Sequence, residues 1–235
     1  QGPAEATVKG IAWKGTFGRL RWVIIPPRLG LEPSSGIAPP WPDIWIAAGR
    51  ATLPLSTRVR RWSQGETFVV QTQDPRTDLK PFDLVIPPTH DGLAGPNVFP
   101  IAGAPNRMTP ERLGSELARF RSRIEPLPHP RVALIVGGKS KTFDLPPARA
   151  AQMADEVAQA VAAAGGSLLV SFTRRTPEPA RRILTERLGP LPGWIWDETG
   201  ENPYAAFLAA ADAVLVTEDS TNLATDAAAT GKPVH

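Results

Sequence analysis

The chain has 235 residues, of which 42% are hydrophobic and 21% are charged, a balance typical of a soluble globular protein. Cysteine is absent, which excludes disulfide bonds, a thiolate nucleophile and a cysteine-based zinc site. No apolar run approaches the roughly 18 residues of a membrane span, and no signal peptide is recognisable, so we expect a cytoplasmic protein. The sequence begins with Gln1 and stops at His235, where a new strand starts, so we expect both ends to be incomplete.

The elements predicted for the first half follow a proline-punctuated stretch that extends to residue 42. Short apolar runs between turn residues predict strands, although Pro100 weakens the last of them. The longer helix has Thr109 as its N-cap and Pro110 at its first position. In chain order we predict a strand over 43–48, a helix over 55–62, strands over 67–73, 82–86 and 97–102, and a helix over 109–124.

The segment 125–130 contains three prolines, which cannot continue a helix, and is the predicted boundary between an N-terminal lobe, 1–125, and a C-terminal lobe, 131–235. The second half alternates strands with helices, which predicts a parallel sheet covered on both faces. Its predicted strands are 131–136, 167–172, 194–196 and 213–216, and its predicted helices are 146–164, 177–188, 203–211 and 220–230.

Loops after the strands of the second half contain the candidate binding residues, because parallel sheets bind ligands beyond the carboxyl ends of their strands. Glycines allow close approach of the backbone, Lys and Arg attract an anion, and a helix N-terminus suits a phosphate. The alternatives are a plain tight turn, an exposed arginine pair and a simple N-cap. The candidates are Gly137, Gly138, Lys139 and Ser140 after the first strand, Arg174 and Arg175 after the second, and Asp219 and Ser220 after the last.

Two loops of the first half add further candidates. His90 and Asp91 follow the predicted strand 82–86, where a histidine can act as a general base, so they are the candidate catalytic residues. An exposed or structural histidine is the alternative. Gly49 and Arg50 form the turn after the first strand and join the binding candidates. The three histidines of the chain have no metal-ligand spacing, so no metal site is predicted.

The net charge of +3 is unevenly distributed, with about +5 over residues 1–125 and about −2 over residues 126–235. The basic half favours contact with anions, such as headgroups on the inner face of a membrane or an acidic acceptor, and an ordinary solvated surface is the alternative. Nucleic-acid binding is not predicted, because no helix-turn-helix, zinc or aromatic-basic signature is present.

Tryptophan is concentrated near the start of the chain, together with arginine. An apolar docking face for a membrane or a protein partner is one interpretation, and packing of these rings into the core is the alternative. The residues of this candidate docking face are Trp13, Trp22, Trp41, Trp45 and Trp62 with Arg58, Arg60 and Arg61.

The segment 226–233 resembles the pattern Glu-Ala-x-Ala-x-Gly-x-Pro of GT-B glycosyltransferases, whose acidic residue typically bonds the nucleotide ribose. Asp takes the place of Glu, so its reach is shorter. The resemblance implies that Asp226 bonds a ribose, and an ordinary helix ended by glycine is the alternative. The matching positions are Asp226, Ala227, Ala229, Gly231 and Pro233.

Blocks along most of the chain resemble, in their order, the mitochondrial-fission ELM family, which has many bacterial members. The blocks are 48–50, 70–76, 82–85, 90–91, 95–98, 103–107, 135–140, 171–177, 200–204 and 216–220. The family is similar to GT-B enzymes, which implies two Rossmann-like α/β lobes with a ligand cleft between them, the N-terminal lobe on the acceptor or partner side and the C-terminal lobe on the donor side. Plant members are implied to recruit a dynamin-type protein to the organelle surface. Glu218 and the stretch before about residue 8 depart from the family pattern.

Three functions remain open on the sequence. The first is transfer of a sugar from a nucleotide-diphosphate sugar to an envelope or lipid-linked acceptor, with no tightly bound cofactor. The second is a non-catalytic adaptor that binds a protein partner peripherally at a membrane surface. The third is a nucleotide-sugar epimerase, which shares the fold and the donor site. Only the frequency of glycosyl transfer among proteins of this fold favours the first function.

Overall fold

The computed structural model describes residues 5–11, 35–140 and 142–235. Trp13 and Trp22 of the candidate docking face lie outside these residues. The chain forms two compact units, 1–102 and 103–235, and each contains its own parallel sheet. This arrangement confirms the predicted α/β fold with parallel sheets.

The first unit has a three-stranded parallel sheet in the order β1-β2-β3. Its elements are β1 (Ile44–Ala47), a 3-10 turn (Arg50–Thr52), α1 (Leu53–Trp62), β2 (Phe68–Gln71) and β3 (Leu84–Val85). The strand predicted over 97–102 is reduced to two isolated bridges, from Val98 to Val85 and from Ile101 to Pro88. Pro100 has no N–H to donate, which explains why a continuous ladder does not form there.

Helix α1 covers one face of the first sheet. Leu53 and Val59 on the helix are buried against Val69 and Val85 on the strands, and Phe82 completes this cluster. A fully buried side chain of this size contributes about 1.5–3 kcal/mol. Because β1, β2 and β3 run in the same direction, their carboxyl ends lie at one edge of the sheet, here called the carboxyl edge.

The second unit has a four-stranded parallel sheet in the order β6-β5-β4-β7. Val234 forms an isolated parallel bridge to Val214 of β7. The elements are α2 (Pro110–Arg119), α3 (Arg121–Ile124), β4 (Arg131–Val136), α4 (Pro147–Ala163), β5 (Ser167–Phe172), α5 (Glu178–Leu188), β6 (Gly193–Ile195), α6 (Tyr204–Ala210), β7 (Ala213–Val216) and α7 (Thr221–Ala228).

Helices cover both faces of this second sheet, as the alternation of strands and helices predicted. Alternate residues of the central strand β4 face opposite ways: Leu134 and Val136 pack with α4 and α5, whereas Ala133 and Ile135 pack with α6 and α7. All four side chains are at most 2% exposed. The continuous apolar sequence of β4 therefore reflects burial on both sides.

The units divide at residues 102 and 103, not in the proline-rich segment 125–130 where the sequence placed the boundary. Helix α2 packs along α6, and Ile124 at the end of α3 is buried with Trp194 and Phe207. The helix predicted over 109–124 thus belongs to the second unit, because its apolar side completes the core of that unit. No helix of the described residues is long and apolar enough to cross a membrane.

Candidate functional site

Three loops meet at the carboxyl edge of the second sheet. They follow β4, β5 and β7, which are neighbours in the sheet, and they comprise residues 137–140, 173–176 and 217–220. All the binding candidates predicted after these strands lie in these loops. The sheet order therefore brings together residues that are far apart in the sequence.

Two glycines let the loops pack closely together. The N–H of Gly137 donates to Thr217 Oγ1 at 2.7 Å, and a Cβ at this position would collide with the Asp219 carboxylate. A Cβ on Gly138 would collide with the carbonyl oxygen of Arg175, which also accepts the N–H of Lys139 at 3.0 Å. Gly137 and Gly138 are therefore required for the loops to meet, before any ligand is considered.

We expect Gly137→Ala to lower the free energy of unfolding by about 1–3 kcal/mol, because the added methyl would displace the Asp219 carboxylate from its contact with Arg175. The melting temperature should fall by about 3–10 °C in a thermal scan. Gly114→Ala on the exposed side of α2 is the matched control, since an added Cβ there meets no atom within 4 Å. This control should raise stability by about 0.5–1 kcal/mol. Equal effects of both substitutions would contradict the close packing of the loops.

Asp219 and Arg175 form an ion pair within the protein. The Asp219 side chain is only 4% exposed, and Arg175 Nη2 lies 2.8 Å from its Oδ2. Thr217 donates its hydroxyl to Asp219 Oδ1 at 2.7 Å. Oδ2 has no hydrogen-bond partner among the described residues, so the contact with Arg175 is an ion pair without hydrogen-bond alignment. The charge of Arg175 therefore offsets that of Asp219, and the two predicted arginines have different environments.

Arg174 and Lys139 remain as the exposed cations of these loops. Arg174 has no ion pair among the described residues, and Lys139 is 71% exposed with its Nζ 3.7 Å from Asp144 Oδ2. Both side chains are long and solvated, so they can reach an anion at little cost in desolvation. Glu218, which departs from the family pattern, is also exposed.

The two predicted serines have different roles. Ser140 Oγ accepts the N–H of Phe143 at 3.0 Å and of Thr142 at 3.3 Å, so its hydroxyl closes its own loop. Ser220 is the N-cap residue of α7, but its side chain makes no capping hydrogen bond. The first turn of α7 therefore has no side-chain cap, in contrast to the simple N-cap that was the alternative interpretation of this residue.

Sequence reasoning missed two threonines that hold the loop 173–176 against the end of β4 by hydrogen bonds. Thr176 is 6% exposed and donates its hydroxyl to the carbonyls of Val136, at 3.0 Å, and Gly137. Thr173 Oγ1 also donates to the Gly137 carbonyl, at 3.1 Å. Their placement on either side of Arg174 and Arg175 was the only available signal. The loops are consequently held in one arrangement by side-chain bonds to backbone.

Asp226 lies on α7 and is bonded by a tyrosine that sequence reasoning also missed. Tyr204, the first residue of α6, donates its O–H to Asp226 Oδ2 at 3.1 Å. Burial raises the pKa of the Asp226 carboxyl, against the lowering effects of the Tyr204 hydrogen bond and the charge of Arg112. Burial and the nearby carboxylate raise the pKa of the Tyr204 phenol. The phenol therefore stays protonated and acts as the donor.

The start of the second unit lies against α7 beside this pair. The N–H of Ala104 donates to Thr225 Oγ1 at 3.1 Å, and Thr225 in turn donates to the carbonyl of Thr221 at 2.8 Å. Gly103 has a φ of 73°, and a Cβ there would collide with the Thr225 hydroxyl. The segment 103–107, one of the blocks of the family resemblance, thus braces the helix that contains Asp226.

The remaining predicted residues lie at the carboxyl edge of the first sheet. His90 and Asp91 belong to a 3-10 turn, with His90 Nε2 3.7 Å from Asp91 Oδ1 and the histidine side chain 57% exposed. Gly49 has a φ of 83°, and Arg50 is exposed at the start of the next turn. Gln71 at the end of β2 was missed by sequence reasoning. It is 1% exposed, and its Oε1 has no hydrogen-bond partner among the described residues.

The described tryptophans of the candidate docking face pack against the core of the first unit. Trp41 stacks on Trp62 with ring centroids 5.5 Å apart, and Trp45 Nε1 donates to Ser56 Oγ at 3.1 Å. All three rings border the buried cluster under α1. Of the nearby arginines, Arg60 pairs with Asp83 at 3.1 Å and Arg58 donates to the carbonyl of Pro54 at 3.2 Å. For these three tryptophans the core-packing alternative holds.

No three His, Asp or Glu side chains of the described residues are grouped so that they could hold a metal ion. The arrangement at the second carboxyl edge instead offers backbone N–H groups, two exposed cations and one half-buried carboxylate. These groups suit a ligand that has both an anionic part and hydroxyl groups.

Comparison with known proteins places the chain among relatives of this architecture. A family model described as Mitochondrial fission ELM1 matches residues 4–235. The mitochondrial fission protein ELM1 of Arabidopsis thaliana is 30% identical over 218 residues, which cover 83% of this chain and 51% of that protein. The chain therefore spans about half the length of this curated relative.

Two solved structures show the same fold. A candidate UDP-N-acetylglucosamine 2-epimerase from Listeria monocytogenes aligns with a TM-score of 0.56 at 14% identity, over 82% of this chain and 56% of that one. The UDP-GlcNAc 2-epimerase of Neisseria meningitidis, solved with UDP-GlcNAc bound, aligns with a TM-score of 0.53 at 13% identity, over 82% and 58%. At these identities the likeness establishes a GT-B-type fold and nothing about the ligand of this chain.

Proposed function

The chain belongs to the mitochondrial fission ELM1 family, and from that premise we propose that it binds a nucleotide-diphosphate sugar and transfers the sugar to an envelope or lipid-linked acceptor. The second unit holds the donor at its carboxyl edge, in the place where sheets of this kind bind nucleotides. The first unit supplies the groups that act on the acceptor.

The observation that supports donor binding best is the hydrogen bonding of the Asp226 carboxylate. Its Oδ2 accepts the hydroxyl of Tyr204 at 3.1 Å, whereas its Oδ1 has no hydrogen bond to any described residue. The open oxygen can accept a hydrogen bond from a ligand, and partial burial of the carboxylate makes such a bond stronger than in bulk water. The hydroxyl groups of a ribose are suitable donors, and the family resemblance assigns them to this residue.

The diphosphate is placed on the loops after β4 and β5. Arg174 and Lys139 supply positive charge from neighbouring loops, and the first turn of α7 has no side-chain cap. The positive end of a helix and its unbonded N–H groups stabilise phosphate oxygens. The Asp219 carboxylate, which would repel the diphosphate, is offset by Arg175 at 2.8 Å.

Transfer requires a proton acceptor, and His90 is the residue proposed for it. Its side chain is 57% exposed, so the imidazole is accessible to an acceptor hydroxyl. The acceptor hydroxyl attacks the anomeric carbon, the bond from that carbon to the diphosphate breaks, and the hydroxyl proton passes to His90. The nucleoside diphosphate leaves with the electron pair of the broken bond, stabilised by the cations of the second unit.

The first test is a thermal-shift and calorimetric screen against UDP, GDP, CDP and ADP and their common sugars. A ligand at 100 times its Kd stabilises the folded protein by about 2.7 kcal/mol, so one diphosphate should raise the melting temperature by about 5–10 °C. Arg174→Ala should weaken its binding by about 3- to 10-fold, because one charged contact to phosphate is lost. Arg187→Ala removes the same charge from the far end of α5 and should leave the affinity unchanged.

The transfer step is tested separately, by measuring turnover of the sugar donor that the screen identifies. His90→Ala should retain the affinity of the wild-type protein for the diphosphate while turnover falls by about 100-fold or more. If no diphosphate binds the wild-type protein, donor binding is disproved and the adaptor alternative becomes the better description. If His90→Ala keeps full turnover, the assignment of the base is wrong while donor binding stands.

A further inference from the structure

Tyr204 occupies a position at which it can control what Asp226 binds. It is the only tyrosine of the chain and the first residue of α6, directly after the loop that leaves the carboxyl end of β6. Its ring is partly buried against the cluster formed by β4, β7 and α7. The hydroxyl therefore points from a partly buried ring toward Asp226 on α7.

Contacts on both sides of Asp226 hold this part of α7 in place. Thr225 is held by the Ala104 N–H at 3.1 Å and by the Thr221 carbonyl at 2.8 Å, and Ala227 is completely buried. The main freedom left at Asp226 is rotation of its own carboxylate. The Tyr204 hydroxyl removes that freedom by bonding Oδ2, which leaves Oδ1 as the oxygen available to a ligand.

Arg112 on α2 also acts electrostatically on the Asp226 carboxylate. The hydrogen bond from Tyr204 is the contact that sets the direction of the carboxylate. Without the phenol, rotation of the carboxylate would present its two oxygens in no fixed direction. Tyr204 thus orients Asp226, in addition to linking α6 to α7.

We propose that Tyr204 is a positioning residue that fixes Asp226 to accept hydrogen bonds from the ribose diol, so that the site selects ribonucleotides against deoxyribonucleotides. This inference rests on the proposed function, because it concerns the same nucleotide site. A fixed acceptor that loses its donor is left unpaired, which is how buried polar groups reject ligands that lack a hydroxyl. If Tyr204 only linked α6 to α7, removal of its hydroxyl would weaken the binding of ribonucleotides and deoxyribonucleotides equally.

The experiment compares UDP, GDP, CDP and ADP with their 2′-deoxy and 3′-deoxy counterparts by calorimetry, for the wild-type protein and two variants. Tyr204→Phe keeps the ring and removes only the hydroxyl. Thr230→Val removes a different hydroxyl, one that donates to the Ala227 carbonyl at 2.6 Å at the end of α7, and is the control for lost stability. The wild-type protein should prefer the ribonucleotide by about 10-fold or more over at least one deoxy form.

In Tyr204→Phe the preference should fall to about 3-fold or less, through weaker binding of the ribonucleotide and not tighter binding of the deoxynucleotide. Thr230→Val should retain the wild-type preference. Because the chain has one tyrosine, 3-fluorotyrosine labelling gives a single ¹⁹F resonance, which should shift on addition of the ribonucleotide and shift less with the deoxy form. An unchanged preference in Tyr204→Phe, or no preference in the wild-type protein, would overturn this inference while donor binding stands. Absence of any nucleotide binding would overturn the proposed function as well.

Discussion

Asp226→Asn should separate nucleotide binding from stability. The affinity for the ribonucleoside diphosphate is expected to fall by about 10- to 100-fold, since a hydrogen bond to a charged acceptor is replaced by a weaker one. The fold should not suffer, because Asn keeps an oxygen for the Tyr204 hydroxyl and removes a half-buried charge. At neutral pH we expect the variant to equal the wild-type protein or exceed it by up to about 1 kcal/mol, or roughly 2–4 °C in melting temperature.

The pH dependence of this difference has a defined sign. Burial raises the pKa of Asp226 above its ordinary value of 3.8, so the folded protein holds this proton more tightly than the unfolded chain. The wild-type protein therefore loses stability relative to the variant as the pH rises from about 3.8 through the raised pKa. Well below pH 3.8 the carboxyl is neutral in both states, and the pH-dependent part of the difference should vanish. Melting curves of the two proteins across this range measure it, and a difference independent of pH would contradict the burial of the charge.

Arg175→Ala should be among the most destabilising single changes in the second unit. It leaves the Asp219 carboxylate, whose side chain is 4% exposed, without its counter-ion. Breaking a fully buried pair costs about 3–5 kcal/mol, and because Arg175 is 41% exposed we expect about 2–3 kcal/mol here. The melting temperature should fall by about 5–10 °C.

The double variant Arg175→Ala with Asp219→Asn distinguishes loss of the counter-ion from loss of arginine packing. The new asparagine side chain would still accept the Thr217 hydroxyl but carries no charge, so about 1–2 kcal/mol of stability should return. The exposed pair between Arg187 and Asp155 is the control, and Arg187→Ala should change stability by at most about 0.5 kcal/mol. Additive effects in the double variant would show that Asp219 does not depend on Arg175.

Much of the second unit could be predicted from its sequence. The strands over 131–136, 167–172 and 213–216 have the predicted bounds, because continuous apolar runs in a parallel sheet are a strong signal. The order of the strands placed the candidate loops at one edge, as expected. In the first unit the signal was weaker, and Pro100 reduced a predicted strand to two bridges.

The pairings within the site could not be predicted in the same way. Arg175 and Asp219 follow different strands. Tyr204 is the first residue of α6, whereas Asp226 lies within α7. The members of each pair therefore meet only because of the sheet order. The spacing of apolar residues likewise shows that α2 has a buried side but not which unit that side meets. Local sequence therefore indicated the candidate loops, while tertiary packing decided which of their charges remain unpaired among the described residues.

The boundary between the units also indicates where the second unit can be separated from the first. A cut at residue 131 would remove α2 and α3 and uncover Trp194 and Phe207, so the fragment would expose part of its own core. A cut before Gly103 keeps both helices and the brace on Thr225. Exchange of first lobes between relatives, by recombination or by design, should therefore be made between Ala102 and Gly103. The proline-rich segment, which has the composition of a linker, lies further along the chain.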